Sequence, residues 1–202
     1  MIGTKITHNA PATGIIKYWI GRLLLAVLGW QVGGQLPQDK KFILIGSPHT
    51  SNWDLPIGLA FIYMYRLKAR WLGKHTLFKW PYGLFMRALG GIPVDRSQSH
   101  GVVGQIADEF RRSEKLVIIL APSGTRTKMP HWKSGFYHIA QQANIPVVCG
   151  YLDYKNKVAN FGYTFVPTGN VKEDMDRVRE YYKGIEGKYP EKMTPVRLVE
   201  EQ

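Results

Sequence analysis

The sequence predicts an α/β fold, a mixed and mostly parallel sheet flanked by helices, and three observations carry that reading. Apolar, largely β-branched runs of strand length recur at FILIGS (42–47), RWLG (70–73), GIPVD (91–95) and LVIIL (116–120). Stretches of helical spacing separate them, and a helix between consecutive strands is the signature of parallel pairing. The last two strand candidates, PVVCGYLDY and VANFGYTFVP, flank only Lys155-Asn156-Lys157, which reads as an antiparallel hairpin.

The elements follow in order. IIKYWIGRLLLAVLGWQVGG (15–34) is the most hydrophobic stretch. Lys17 and Arg22 interrupt its first half, and its longest charge-free run with few polar atoms, Leu23 to Trp30, is well short of the ~20 apolar residues a membrane span needs. No small-residue cleavage site follows, which argues against a secretory signal. Leu, Ile and Trp go nearly all the way round this helix, so it asks for burial in lipid or in protein. Trp19 and Trp30 near its ends, with basic residues beside them, suit a bilayer interface. Residues 1–34 are therefore expected to form a membrane-associating helical segment, and residues 35–202 one α/β domain.

Within that domain DLPIGLAFIYMYRLK (54–68) reads as a helix with Pro56 in its first turn. An aromatic-rich helical stretch, interrupted by Pro81, runs to about Ala88; VVGQIADEFRRSE (102–114) is amphipathic, and SGFYHIAQQA (134–143) is a further helix. Asn170 is expected to cap VKEDMDRVREYYKGI, whose early acids and later bases suit the helix dipole. No repeat, low-complexity linker or internal boundary is apparent.

Composition limits the function. With 202 residues the chain can bury a real core, and 27 Lys plus Arg against 15 Asp plus Glu give a formal charge of +12. The partner is expected to be anionic: a membrane surface, a phosphorylated substrate or a nucleic acid. Cys149 is the single cysteine, so there is no intrachain disulfide and no CxxC metal pair, and its place in IPVVCG is that of a buried strand residue. That usage is compatible with a cytosolic setting.

The polar residues gather after the strands. His49 follows the first strand by two positions, Arg96 follows the third directly, and Ser123, Gly124, Thr125 and Arg126 follow the fourth. In open α/β sheets ligands bind beyond the carboxyl ends of the strands, so these loops should converge on one edge as an anion seat. His49 and Asp54, five residues apart, form a candidate base and its orienting carboxylate, while Ser51 and Asp54 also read as a helix-capping pair. A P-loop is excluded because SGTRTK lacks the G-x-x-x-x-G-K-[ST] spacing, and a serine hydrolase lacks its G-x-S-x-G elbow at APSGT. The stretch RWLGKHTLFKWPYGLFMR (70–87) interleaves aromatic and basic residues, which suits a phospholipid headgroup surface and, for at least half of its aromatics, core packing.

As an ordered set, HTSNWD (an H-x4-D motif), GGIPVDR about 40 residues later, SGTR and NIPVVCG resemble the four motifs of the glycerolipid acyltransferase family, the bacterial 1-acylglycerol-3-phosphate acyltransferases in particular. The resemblance covers roughly residues 40 to 155. It implies acyl transfer from an acyl thioester, acyl-CoA or acyl carrier protein, to a lysophospholipid hydroxyl, with no cofactor and no metal. His49 would be the general base, Asp54 would orient it, and no acyl-enzyme would form. Arg96 and Arg126 would hold the acceptor's phosphate, and Gly124 and Thr125 would let the backbone approach it. Ser123 departs from the pattern, since the family usually has Glu there, and this bears on acceptor identity. The implied setting is phospholipid biosynthesis at the cytoplasmic face of a membrane, monotopic or peripheral, with an anionic membrane surface as partner and no nucleic acid expected. A non-catalytic basic module that binds anionic membrane or nucleic acid is the reading from another class, resting on charge and the aromatic-basic stretch.

Overall fold

The computed structural model describes residues 5–94 and 99–201. Seven strands form one sheet: β1 (Gln31–Gly34), β2 (Lys41–Gly46), β3 (Arg70–Lys74), β4 (Gly91–Val94), β5 (Leu116–Leu120), β6 (Val147–Asp153) and β7 (Val158–Phe165). Their order is β1-β7-β6-β2-β5-β3-β4. Every pairing is parallel except the β6–β7 hairpin, so the mixed, mostly parallel sheet expected from the sequence is present. Among the described residues six α-helices accompany it: α1 (Ile15–Val27), α2 (Asp54–Met64), α3 (Gly83–Ala88), α4 (Ser99–Arg112), α5 (Gly135–Ala143) and α6 (Val171–Tyr181).

Side-chain alternation along β2 divides the core into two layers. Phe42 and Leu44 pack with α1 and α2 on one face, while Ile43 and Ile45 pack with α4, α5 and α6 on the other. Because successive strand residues point to opposite faces, FILI needs to be apolar throughout, as a central strand covered on both sides must be. Cys149 of β6 is fully buried in the second layer, where burial pushes its thiol up to about 12. Asn170 caps α6 as expected, its side-chain oxygen accepting from the Glu173 backbone N–H at 3.2 Å.

The N-terminal segment departs from the expectation in one respect. Residues 31–34 are not helical; they form β1, an edge strand parallel to β7 in the main sheet. The preceding helix, α1, packs on α2 through Tyr18, Gly21 and Leu25. A Cβ at Gly21 would meet the Ala60 carbonyl oxygen at 2.5 Å, so glycine permits that close approach. The other side of α1 exposes Ile16, Trp19, Ile20, Leu23 and Val27, a stripe at helical spacing. At 13 residues α1 is about 20 Å long, and no helix of the described residues is long and apolar enough to cross a membrane.

The aromatic-basic stretch splits similarly. It holds a 3-10 turn (His75–Phe78) and α3, and Trp71 and Phe78 belong to the core. Trp80, Tyr82, Leu84 and Phe85 are exposed, Trp80 by 93%.

Candidate active site

Parallel pairing decides where the loops meet. β2 lies between β5 and β6, and all three run in the same direction. Their carboxyl ends therefore share one edge, and the loops leaving them bring HTSNWD, SGTR and the start of the hairpin turn together. β4 ends at Val94 on that edge, and Arg96 lies outside the described residues.

His49 and Asp54 do meet. His49 Nδ1 stands 3.0 Å from Asp54 Oδ2, with the Asp54 side chain 6% exposed and His49 23% exposed. The same Oδ2 accepts the backbone N–H groups of Thr50 and Ser51, each at 2.9 Å. Ser51 Oγ accepts the Trp53 N–H at 3.2 Å. The Asp54 carboxylate thus orients the imidazole and ties down the loop before α2, but the expected Ser51–Asp54 capping pair is not completed: Asp54 is the first residue of the helix, Trp53 is its N-cap, and no side-chain bond caps it. Burial alone would raise the Asp54 pKa, but hydrogen bonds from His49, Tyr154 and the Ser51 backbone more than offset this and hold the carboxyl below its ordinary value. Asp54 is accordingly charged at neutral pH. Among the described residues no hydrogen bond engages His49 Nε2, the nitrogen left for a substrate proton.

Sequence reasoning missed Tyr154. Its hydroxyl donates to Asp54 Oδ1 at 2.7 Å from the residue that follows β6. Burial and the neighbouring carboxylate push that phenol far up, so it remains a donor at any working pH.

The pair opens on a cavity of about 550 Å³, within the range of small-molecule sites. Leu44, Leu59, Ile62, Ile106, Phe136 and Phe161 are among its apolar lining, and Lys74, Arg126 and Lys133 bring positive charge to it. Gly124 and Thr125 line it as well. Gly124 has φ +68, a left-handed turn that suits glycine, and a Cβ built there would come to 3.1 Å from the Lys133 side chain. Lys133 is a further basic lining residue that no motif singled out. Ser123 is not part of the lining: its hydroxyl is buried and donates to the Thr125 carbonyl at 2.8 Å, closing the loop on itself. Arg126 also lines a second cleft, of about 390 Å³, with Thr50–Trp53, Thr127, Tyr189 and Lys192. Its Nε is buried with no hydrogen-bond partner among the described residues, a group suited to an incoming anion.

A His–Asp pair and cationic side chains thus stand around an apolar cavity at the carboxyl edge of the sheet, an arrangement able to take a proton from a hydroxyl beside an anionic group. The acyltransferase family model matches residues 31–152, more than half of the chain, and the chain belongs to that family. It is accordingly an acyltransferase-type enzyme. Among solved structures, the fold is similar to the 1-acyl-sn-glycerophosphate (LPA) acyltransferase PlsC of Thermotoga maritima. The two are 20% identical, with a TM-score of 0.55, over 82% of this chain and 73% of that one. No curated protein matches the sequence significantly.

Proposed function

We propose that this enzyme moves a fatty acyl group from an acyl thioester, on CoA or acyl carrier protein, to the free hydroxyl of a lysophospholipid, 1-acylglycerol-3-phosphate being the favoured acceptor. The observation that carries the proposal is the His49–Asp54 contact at 3.0 Å on an apolar cavity that also holds Arg126. His49 Nε2 takes the proton from the acceptor hydroxyl as its oxygen attacks the thioester carbonyl carbon. The tetrahedral adduct collapses by breaking the carbon–sulfur bond. The imidazolium returns the proton to the departing thiolate, leaving an ester and a free thiol. Asp54 holds the imidazole by Nδ1, keeps Nε2 free to accept, and balances the charge that forms on the ring. No acyl-enzyme is needed.

Arg126 offers the acceptor phosphate a charged fork, and Arg96 joins it in this reading through the motif it completes. The apolar lining takes the acyl chain. Ser123 supports the turn that presents Thr125 and Arg126, so it acts on the acceptor through the loop's shape.

The reading includes monotopic attachment at the cytoplasmic face of a membrane, where acyl-CoA and acyl carrier protein are available. Two exposed apolar surfaces support attachment: the α1 stripe and the Trp80–Phe85 patch. The cavity lining reaches Thr76 and Leu77, just before that patch in the chain, which suits a lipid entering sideways.

The test is transfer of labelled acyl groups from acyl-CoA and from acyl carrier protein to a panel of lysolipids, with His49→Ala beside the wild type. The variant should lose at least about 100-fold in kcat, the usual contribution of a positioned base. Equal turnover would remove His49 as base, and no transfer to any acceptor would favour a binding module.

A further inference from the structure

We propose that Tyr154 is a positioning residue for the acyl transfer, the third member of a Tyr154–Asp54–His49 relay. The proposal rests on the functional reading above and adds to it a residue outside the four motifs. The geometry divides the Asp54 carboxylate into two halves. Oδ2 takes His49 Nδ1 and the backbone N–H groups of Thr50 and Ser51. Oδ1 takes the Tyr154 hydroxyl at 2.7 Å, a short, charge-assisted bond. Rotation of the carboxylate about its Cβ–Cγ bond would exchange the two oxygens, and Tyr154 opposes that rotation from the side the backbone donors do not reach.

Tyr154 is itself held by two elements besides Asp54. Its backbone N–H donates to the Glu186 carbonyl at 2.9 Å, and Trp30 packs edge-on against its ring with centroids 5.0 Å apart. The segment carrying Glu186 continues to Tyr189, whose backbone N–H donates to Thr50 Oγ1 at 3.2 Å, in the H-x4-D loop itself. The phenol is thus built into place by Trp30, in the link between α1 and β1, and by the C-terminal segment. The titratable groups facing the relay are His49 and Tyr154 on Asp54, Tyr189 beside Tyr154, and Arg126 along the cavity.

Removing the hydroxyl has a definite sign. A donor to the charged carboxylate favours the charged form, so its loss makes Asp54 easier to protonate. It also leaves the carboxylate a stronger acceptor toward the imidazolium. Both effects disfavour the state with ionised Asp54 and neutral His49, and the acid limb of the rate profile moves to higher pH.

The test is Tyr154→Phe in the acyl-transfer assay, with Asp54→Asn, the double variant and His49→Ala beside it. We expect kcat to fall about tenfold or more, with both KM values within twofold, and the acid limb to move up. In the Asp54→Asn background the same substitution should change kcat by less than twofold, because the relay is already broken. A proton spectrum supplies a readout independent of turnover: the downfield His49 Nδ1–H resonance should shift in Tyr154→Phe. An unchanged rate, profile and resonance would overturn the proposal. So would a fall in kcat that is equally large in both backgrounds, since that marks a packing role. If His49→Ala keeps full turnover, the functional reading itself fails; if His49→Ala is inactive while Tyr154→Phe behaves as wild type, only the relay falls.

Discussion

Replacing Gly58 with Leu should shorten the acyl chain this enzyme prefers. Gly58 lies in α2 and lines the cavity, and a Cβ built there meets nothing within 4 Å. The new side chain therefore starts in open cavity space. Leu is also the better helix former by roughly 0.8 kcal/mol, so thermal stability should hold or rise slightly. Its four carbons occupy the space of about four methylenes of a bound chain. At about 0.8 kcal/mol for each methylene no longer buried, the longest chain the wild type accommodates loses roughly 3 kcal/mol, or about 200-fold in kcat/KM. Chains shorter by four carbons should be used as before. The assay is competition among an even-numbered series of saturated acyl thioesters, with melting temperature followed in parallel. An unchanged chain-length profile in a normally folded variant would refute the assignment of this cavity to the acyl chain.

Three other outcomes are expected. Arg126→Ala should raise the KM for the lysolipid acceptor about 10- to 100-fold, the loss of a charged hydrogen-bonded contact, while the KM for the acyl donor changes little; the reverse pattern in steady-state kinetics would reassign Arg126. Trp80→Glu with Leu84→Glu should release the protein from anionic liposomes in a sedimentation assay, yet move stability by no more than about 0.5 kcal/mol, because both side chains are exposed. Asp54→Asn should lower the urea midpoint at neutral pH. Asp54 lies below its ordinary value of 3.8, so its charged form contributes stability above that pH and loses it as the pH falls through the lower folded value. The gap between variant and wild type should therefore narrow below about pH 3.8, and a gap constant with pH would show that the carboxylate's charge contributes nothing.

Much of the fold was legible because it is written in local periods. FILIG and LVIIL are apolar at every position since both faces of β2 and β5 are covered, and the early acids of α6 answer its own dipole. The H-x4-D spacing sufficed to place His49 and Asp54 together because one turn at a helix start joins them. Other features had no local signature. α2 ends at Met64 although its apolar pattern continues, for Arg66 adopts a left-handed φ of 56 and turns the chain. QVGG carries no alternating pattern, and only pairing with β7 makes it a strand. α1 is apolar on nearly every side, so its pattern could not say which face meets α2 until Gly21 was seen against Ala60.

The sequence by itself determined the strands, the helix starts and the chemical kinds of residue at the strand ends, because each depends on neighbours a few positions away. The tertiary structure alone decided what those residues face. Ser123 turned into its own loop and left the cavity to Gly124, Thr125 and Arg126. Tyr154 reached Asp54 across 100 residues of chain because β6 runs parallel to β2 and ends beside it. A hydrogen bond of that range is set by the order and direction of strands in the sheet, which no window of sequence contains.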